Sequence, residues 1–281
     1  MYNQKTIATI KKLLEENTDA SLTYAALECR LALEFICYAR LKISHDYISH
    51  ADLRAWQPKQ IIDALIKEVD PRAGSTFTLS ISQEPLESGA ADLAAEEFAT
   101  MNWVKLGTQI GFDPKKLGKL WNKLANAALH VAIPKNSSDE ISRYGDPNRI
   151  RDAVVEALIE IERIDEGTIN SGGYGSTISF ECSCRTINQR RQALLNDRKI
   201  ISCINPTCYE SYSYISQTDE FQRRTFPIVC KSCTREHLIP VRYMEKELKI
   251  GSSLRVPCAC GDAIYVEWRL MQAQNSSRKQ I

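Results

Sequence analysis

Cys182-Ser-Cys184, Cys203-Ile-Asn-Pro-Thr-Cys208, Cys230-Lys-Ser-Cys233 and Cys258-Ala-Cys260-Gly261 are four close cysteine pairs near the end of a 281-residue chain. They hold eight of its ten cysteines, and the other two, Cys29 and Cys37, stand apart in the first 177 residues. Zinc takes four thiolate or imidazole ligands in a tetrahedron, and two cysteines a few residues apart reach one ion from a single tight turn. A disulfide framework needs an oxidising compartment, and close pairs without one point to metal. Eight thiols buried as small apolar residues would give no reason for four close pairs. The expectation is two structural zinc ions, each held by four cysteines.

Between the pairs lie 18, 21 and 24 residues, about the length of a β-hairpin returning to the metal. The flanks are β-prone: Ile178-Ser-Phe180, Lys199-Ile-Ile201, Pro227-Ile-Val229 and Ile264-Tyr-Val266. This pattern resembles the zinc-ribbon family, in tandem. Two pairings are open: sequential (182/184 with 203/208, 230/233 with 258/260), or a cross-brace joining the first pair to the third. The chain departs from the family in loop length, with one intervening residue in two pairs and four in another, where two is usual. His237, four residues after Cys233, is an alternative ligand. A zinc ion saturated by cysteine has no open position, so these metals would hold the fold and not act in catalysis. What a ribbon binds depends on its surface. Tyr209, Tyr212, Tyr214, Phe221 and Trp268, with Arg190, Arg191, Arg223, Arg224, Lys231 and Arg235, could stack bases and take phosphates of RNA or DNA. The same residues also suit an ordinary small sheet with solvated arginines, which leaves a protein partner open.

With 43% hydrophobic and 25% charged residues, collagen, low-complexity and coiled-coil compositions are excluded. The length suits about two domains. No apolar run approaches the roughly 18 residues of a membrane helix, and Met-Tyr-Asn-Gln-Lys has no apolar signal core. The expectation is a cytoplasmic protein with no membrane partner. The net charge of +1 divides into −5 for residues 1–177 and +6 for 178–281. Ionising eight thiols onto two zinc ions lowers the latter to +2, so charge alone argues weakly for nucleic acid.

The first half reads as helices over 3–15, 20–43, 58–69, 91–101, 113–131 and 147–165, with Asn17-Thr18-Asp19, Pro58, Asp113-Pro114 and Asp146-Pro147 as start signals. Residues 75–83 alternate Phe77, Leu79 and Ile81 with small polar residues, as a strand does. Residues 84–90 read as a loop. Four glycines between 166 and 177 mark a linker. The predicted class is α+β and multidomain: a helical bundle over 1–165, the linker over 166–177, ribbons over 178–222 and 223–272, and a disordered tail over 273–281. Cys29 and Cys37 read as buried apolar residues of the bundle.

Two helical segments carry a second resemblance. Arg30-Leu-Ala-Leu-Glu34 on an early helix and Asn126-Ala-Ala-Leu-His130 on a late one are similar to bacterial HEPN-like helical domains. The resemblance could cover residues 20–165. It implies a homodimer, an effector role in bacterial defence, and metal-independent RNA cleavage as a candidate endoribonuclease activity. In that chemistry a histidine moves a proton at the 2′-hydroxyl or the leaving oxygen while an arginine holds the phosphate. Active members carry Arg-x(4–6)-His. Here Ala125 stands where the arginine would be, and a separate match, Arg40-Leu-Lys-Ile-Ser-His45, lies earlier. The candidate catalytic residues are therefore Arg40, His45, Asn126 and His130. Helix-terminal hydrogen bonding is the structural alternative for His130, and a surface or packing role for Arg40 and His45. Arg30 and Glu34 could form an intrahelical ion pair or orient a partner residue.

Overall fold

Thr18 opens the helix around which the first half is built. Its hydroxyl accepts from the Ser21 N–H at 3.1 Å, and the Ser21 hydroxyl accepts from the Thr18 N–H at 2.9 Å. This reciprocal pair satisfies two of the donors that a helix start leaves open. Helix α2, Asp19–Ile43, follows α1, Tyr2–Glu16. The structure, a computed structural model, describes residues 2–49, 57–83, 95–131, 136–138, 141–170 and 175–268. The predicted tail over 273–281, the loop over 84–90 and residues 91–94 of the predicted fourth helix lie outside the described residues. The chain is α+β, a helical region followed by small antiparallel sheets. It divides into two compact units, the second made up chiefly of the chain from Thr177 onward.

In the first unit α2 packs against α1, α3 (Pro58–Glu68), α5 (Pro114–Leu124) and α6 (Pro147–Asp165). Leu22, Leu33, Ile62, Leu117, Leu124, Ile150 and Ile161 form the centre of its core, with Cys29 and Cys37. Burial pushes both thiols up to about 12, so they are neutral. Asp113 and Asp146 cap α5 and α6 by accepting main-chain N–H bonds. Within the predicted 91–101 helix, α4 is Ala95–Thr100. The predicted 113–131 helix changes character at Ala125: residues Ala125–Leu129 form a π turn, and His130 is extended.

One strand was not anticipated. β1 (Phe77–Ser82) pairs antiparallel with β2 (Trp103–Gln109), with a bulge at Leu79/Ser80. Gly107 interrupts the β2 pattern, and Val104 and Leu106 face solvent. The hairpin is held largely through its main chain. Arg40 donates to the carbonyls of Ala73 and of Ile110 (2.6 Å), with its guanidinium 4.2 Å from the Phe112 ring centre. Arg163 donates to the Gly111 carbonyl at 2.8 Å and pairs at 2.6 Å with buried Glu160, which also receives Lys116 at 2.6 Å. At Gly111 a Cβ would lie 2.5 Å from the Gly74 carbonyl oxygen, so only glycine fits where the two segments cross.

The predicted linker begins as structure and not as a free spacer. The N–H groups of Thr168 and Ile169 both donate to the Thr108 carbonyl, at 2.9 and 3.3 Å, and the Thr168 hydroxyl accepts from the Thr108 N–H. Residues 171–174 lie outside the described residues.

The second unit consists of hairpins. β3 (Thr177–Glu181) pairs with β4 (Ile187–Arg191). β5 (Ile200–Ser202), β6 (Ser211–Ile215) and β7 (Glu220–Arg223) make one sheet. β8 (Thr225–Val229) pairs with β9 (Glu236–Pro240), and β10 (Ser253–Pro257) with β11 (Ala263–Glu267). Helix α7, Val241–Glu247, follows β9 and was not anticipated. Among the described residues no helix is long and apolar enough to cross a membrane.

Arg40 is 4% exposed, and burial lowers its guanidinium to about 10, so it is still charged at neutral pH. Removing it leaves two carbonyls without their charged donor. Arg40→Ala is expected to destabilise the first unit by about 3 kcal/mol, read as a lower midpoint in urea denaturation of the full chain.

Candidate metal centres

Each of the four cysteine pairs lies at the tip of one hairpin. Cys182 and Cys184 join β3 to β4, Cys203 and Cys208 join β5 to β6, Cys230 and Cys233 join β8 to β9, and Cys258 and Cys260 join β10 to β11. The residues between pairs thus begin with a strand leaving one tip and end with a strand approaching the next, with β7 also lying between the second and third pairs and α7 between the third and fourth. They are not one hairpin, as the spacing alone had suggested.

The four tips differ in length yet close by one bond. In each, the N–H of the first cysteine donates to the carbonyl two residues beyond the second: Cys182 to Thr186 (2.9 Å), Cys203 to Glu210 (3.1 Å), Cys230 to Arg235 (2.9 Å) and Cys258 to Asp262 (2.8 Å). Tips with one or two intervening residues must reverse sharply. They do so with a left-handed residue directly after the second cysteine: Arg185 (φ 66°), Thr234 (φ 58°) and Gly261 (φ 94°). The four-residue tip has room for a gentler route, in which the Asn205 side chain accepts from the Thr207 N–H at 3.0 Å.

The tips bring the sulfurs together as two quartets, Cys182/184/203/208 and Cys230/233/258/260, each with all four sulfurs within 4.8 Å of one another. This is the sequential pairing, and the cross-brace does not occur. Cys182 and Cys208 lie 3.7 Å apart, as do Cys184 and Cys203; Cys230–Cys260 is 3.8 Å and Cys233–Cys258 is 3.5 Å. A tetrahedron with zinc–sulfur bonds near 2.3 Å has edges of about 3.8 Å. The donor set fits a zinc-sized cation, and each quartet could hold one metal ion. His237 is not a fifth member of the second quartet. Its Nε2 lies 3.3 Å from Cys258 Sγ, as a hydrogen-bond partner of the sulfur.

Other polar groups approach the sulfurs from outside. The Tyr212 hydroxyl lies 3.3 Å from Cys182 Sγ, the Thr186 hydroxyl 3.2 Å from Cys184 Sγ, and the Asn188 and Asn205 amides 3.8 and 3.9 Å from Cys203 and Cys184. Such contacts orient ligands and stabilise their charge. Burial opposes the Cys184 thiolate, but hydrogen bonds from Thr186 outweigh it and draw the thiol down to about 6. The Cys260 main-chain N–H and then His237 draw Cys258 down to about 6. Burial pushes Cys203 up to about 11 and raises Cys208 as well. At Cys260 a main-chain bond from Asp262 favours the thiolate, but Cys258 and Cys233 outweigh it and push the thiol up to about 12. A cation entering either quartet must displace protons from its thiols.

The aromatic residues expected as a base-stacking surface are mostly engaged elsewhere. Phe180 stacks on Phe221 at 4.2 Å and packs against Tyr212 at 4.7 Å, with Tyr214 5.4 Å from Phe221. Tyr212 and Tyr214 are buried. Buried Arg190 donates to the Ser202 carbonyl at 3.0 Å, and Arg223 grips Glu210 with two bonds of 2.7 and 2.5 Å. Trp268 is exposed. It lines a groove of about 770 Å³ with Phe226, Val241, Met244, Leu248 and Ile250. Sequence reading missed this groove, although Val241, Met244 and Leu248 have helical spacing.

The helical candidates do not share one environment. Arg40 is buried on the carbonyls described above. Asn126 and His130 are exposed, Asn126 on the π turn and His130 directly after it. The His45 side chain lies outside the described residues. Arg30 and Glu34 form their ion pair at 3.5 Å and together seat Trp121: Glu34 accepts from its indole N–H at 2.8 Å, and Arg30 lies 3.8 Å from the ring centre. No protein-family model, curated protein or solved structure matches the chain.

Elemental analysis is expected to find two zinc ions per chain. Chelation should melt the second unit while the helical far-UV signal persists. Because thiolates bind metal and thiols do not, zinc should be held at neutral pH and released as acidification lets protons compete for the sulfurs. A colorimetric zinc indicator follows the release.

Proposed function

We propose that the protein is a zinc-stabilised adaptor, in which two tandem ribbons present a binding surface to a protein partner. The observation carrying this reading is the apolar groove on the second ribbon. Phe226 and Trp268 line it with Val241 and Met244 of α7 and with Leu248 just beyond that helix, and Glu245 and Lys249 add charged groups to the lining. Apolar residues with a few charged ones suit an apolar peptide segment, and a methionine adapts to its shape. Zinc bound by four thiolates would supply cross-linking alone, because no coordination position remains for water. Nucleic-acid binding by this tail is disfavoured by the burial of Tyr212, Tyr214 and Arg190. The test is affinity capture with zinc-loaded protein, comparing the full chain with Met244→Asp and Phe226→Asp. Both variants should keep two zinc ions and lose the partner. Partner binding unchanged in both variants, or salt-sensitive RNA binding with no protein partner, would overturn the adaptor reading.

A second reading follows from the helical unit. Asn126 and His130 are exposed at a π turn, a rare element that concentrates at functional sites. The HEPN-like resemblance makes them candidates for metal-independent RNA cleavage, with His130 moving the proton at the 2′-hydroxyl. Arg40, buried as it is, has no part in this version. If the reading holds, RNA is cut in the presence of a chelator too weak to strip the ribbons, and His130→Ala lowers the rate by at least about 100-fold. Equal rates for the two proteins would remove it.

A further inference from the structure

Residues 178–281 carry a formal charge of +6, yet one groove on the first ribbon is acidic. It has a volume of about 710 Å³ and follows two strands, lined by Ser179–Glu181 of β3 and Glu220–Gln222 of β7. Its floor is aromatic: Phe180 stacks on Phe221, and Tyr212 packs against Phe180. Its charged groups are Glu181, Asp219 and Glu220, all exposed. No lysine, arginine or histidine is among the described residues that line it.

A turn and a strand place the acids. Between β6 and β7 the Thr218 N–H donates to the Ile215 carbonyl at 3.3 Å, and Asp219 follows in the left-handed region (φ 54°), which aspartate tolerates. Asp219 accepts from the Tyr214 hydroxyl, and Glu220 accepts from the Thr218 hydroxyl at 3.2 Å. These bonds orient the carboxylates and leave their charge uncompensated. The ion pairs described in this ribbon join Arg198 to Asp197 and Arg223 to Glu210, and none reaches the three acids.

We propose that this groove binds a basic, extended peptide segment, whose lysine and arginine side chains cross the aromatic floor to reach Glu181, Asp219 and Glu220. Lysine and arginine have long apolar stems that suit such a floor, while their heads take carboxylates. Two other occupants fit less well. A single metal ion needs ligand atoms drawn together, and among the described residues only the cysteine quartets meet that condition. The phosphates of a nucleic acid would meet three uncompensated negative charges. The extended shape follows from the walls. β3 pairs only with β4 and β7 only with β6, and such edge strands offer main-chain donors and acceptors to a segment laid along them. The floor rests on the first quartet, since the Tyr212 hydroxyl lies 3.3 Å from Cys182 Sγ. The proposal stands on the first ribbon and is independent of the apolar groove on the second.

Fluorescence anisotropy of a labelled peptide alternating arginine with serine tests it on the full zinc-loaded chain. The peptide is expected to bind one to one, with an affinity that falls as salt rises. Glu181→Gln, Asp219→Asn and Glu220→Gln together should weaken binding by at least about 10-fold, as three exposed ion pairs are lost. Glu15→Gln with Glu16→Gln, on α1, should leave it intact, and so should Met244→Asp in the apolar groove. No binding of the arginine peptide at low salt, equal binding by the triple variant, or loss in the α1 or Met244→Asp variant overturns the proposal. Single-stranded RNA binding that the triple variant abolishes overturns it as well. Should the triple variant lose zinc, the unaltered chain decides, with a photoreactive benzophenone on the arginine peptide. Adducts are expected within 179–181 or 218–222, and adducts only elsewhere mean that the groove is not the site.

Discussion

Four sulfurs within 4.8 Å of one another cannot all carry charge without a cation between them. That repulsion governs the second unit. Its buried aromatic and cysteine cluster is small: Cys182, Cys203 and Tyr212, with Phe180, Cys208 and Phe221 packed around them. Two of its three buried members are metal-ligand candidates. A two- or three-stranded sheet with so little apolar interior is marginal in water by itself. The strands contribute register, the tips contribute sulfur, and a metal would join one hairpin to the next. The helical unit has no such dependence, because α2 buries apolar side chains against four other helices.

The same division explains how the two units use their charged residues. In the first, Arg40 and Arg163 reach inward to main-chain carbonyls at the end of β2, and Glu160 receives both Arg163 and Lys116. Glu160 is held below the usual carboxylate range: burial works against its charge, and the two cations outweigh burial. These bonds fix a hairpin that has few apolar contacts of its own. In the second unit, Arg190 and Arg223 do similar work between strands. Arginine suits both places because its planar fork serves two acceptors at once and stays charged when buried.

Much of this could be read from residues alone, and the failures have physical causes. The quartets were legible because metal ligation demands a spacing that packing does not. Helices α1, α2, α3 and α6 were legible because caps and apolar periodicity agree there. β2 was missed because Gly107 breaks its alternation and because the arginines that anchor the hairpin lie far away in sequence. The α-helical part of α5 ends at Leu124 and not at 131, since Ala-Asn-Ala-Ala-Leu over 125–129 gives no signal to distinguish a π turn from an α turn. The aromatic surface of the ribbons was misjudged for a different reason. Tyr212 and Phe221 alternate with polar residues as exposed strand residues often do, but the first ribbon has little else with which to fill its interior.

On the second ribbon the apolar surface forms a concave groove with Glu245 and Lys249 among its lining. A metal ion in the neighbouring cysteine quartet would serve such a groove, because a cross-linked fold keeps its shape before a partner arrives and less ordering is needed on binding.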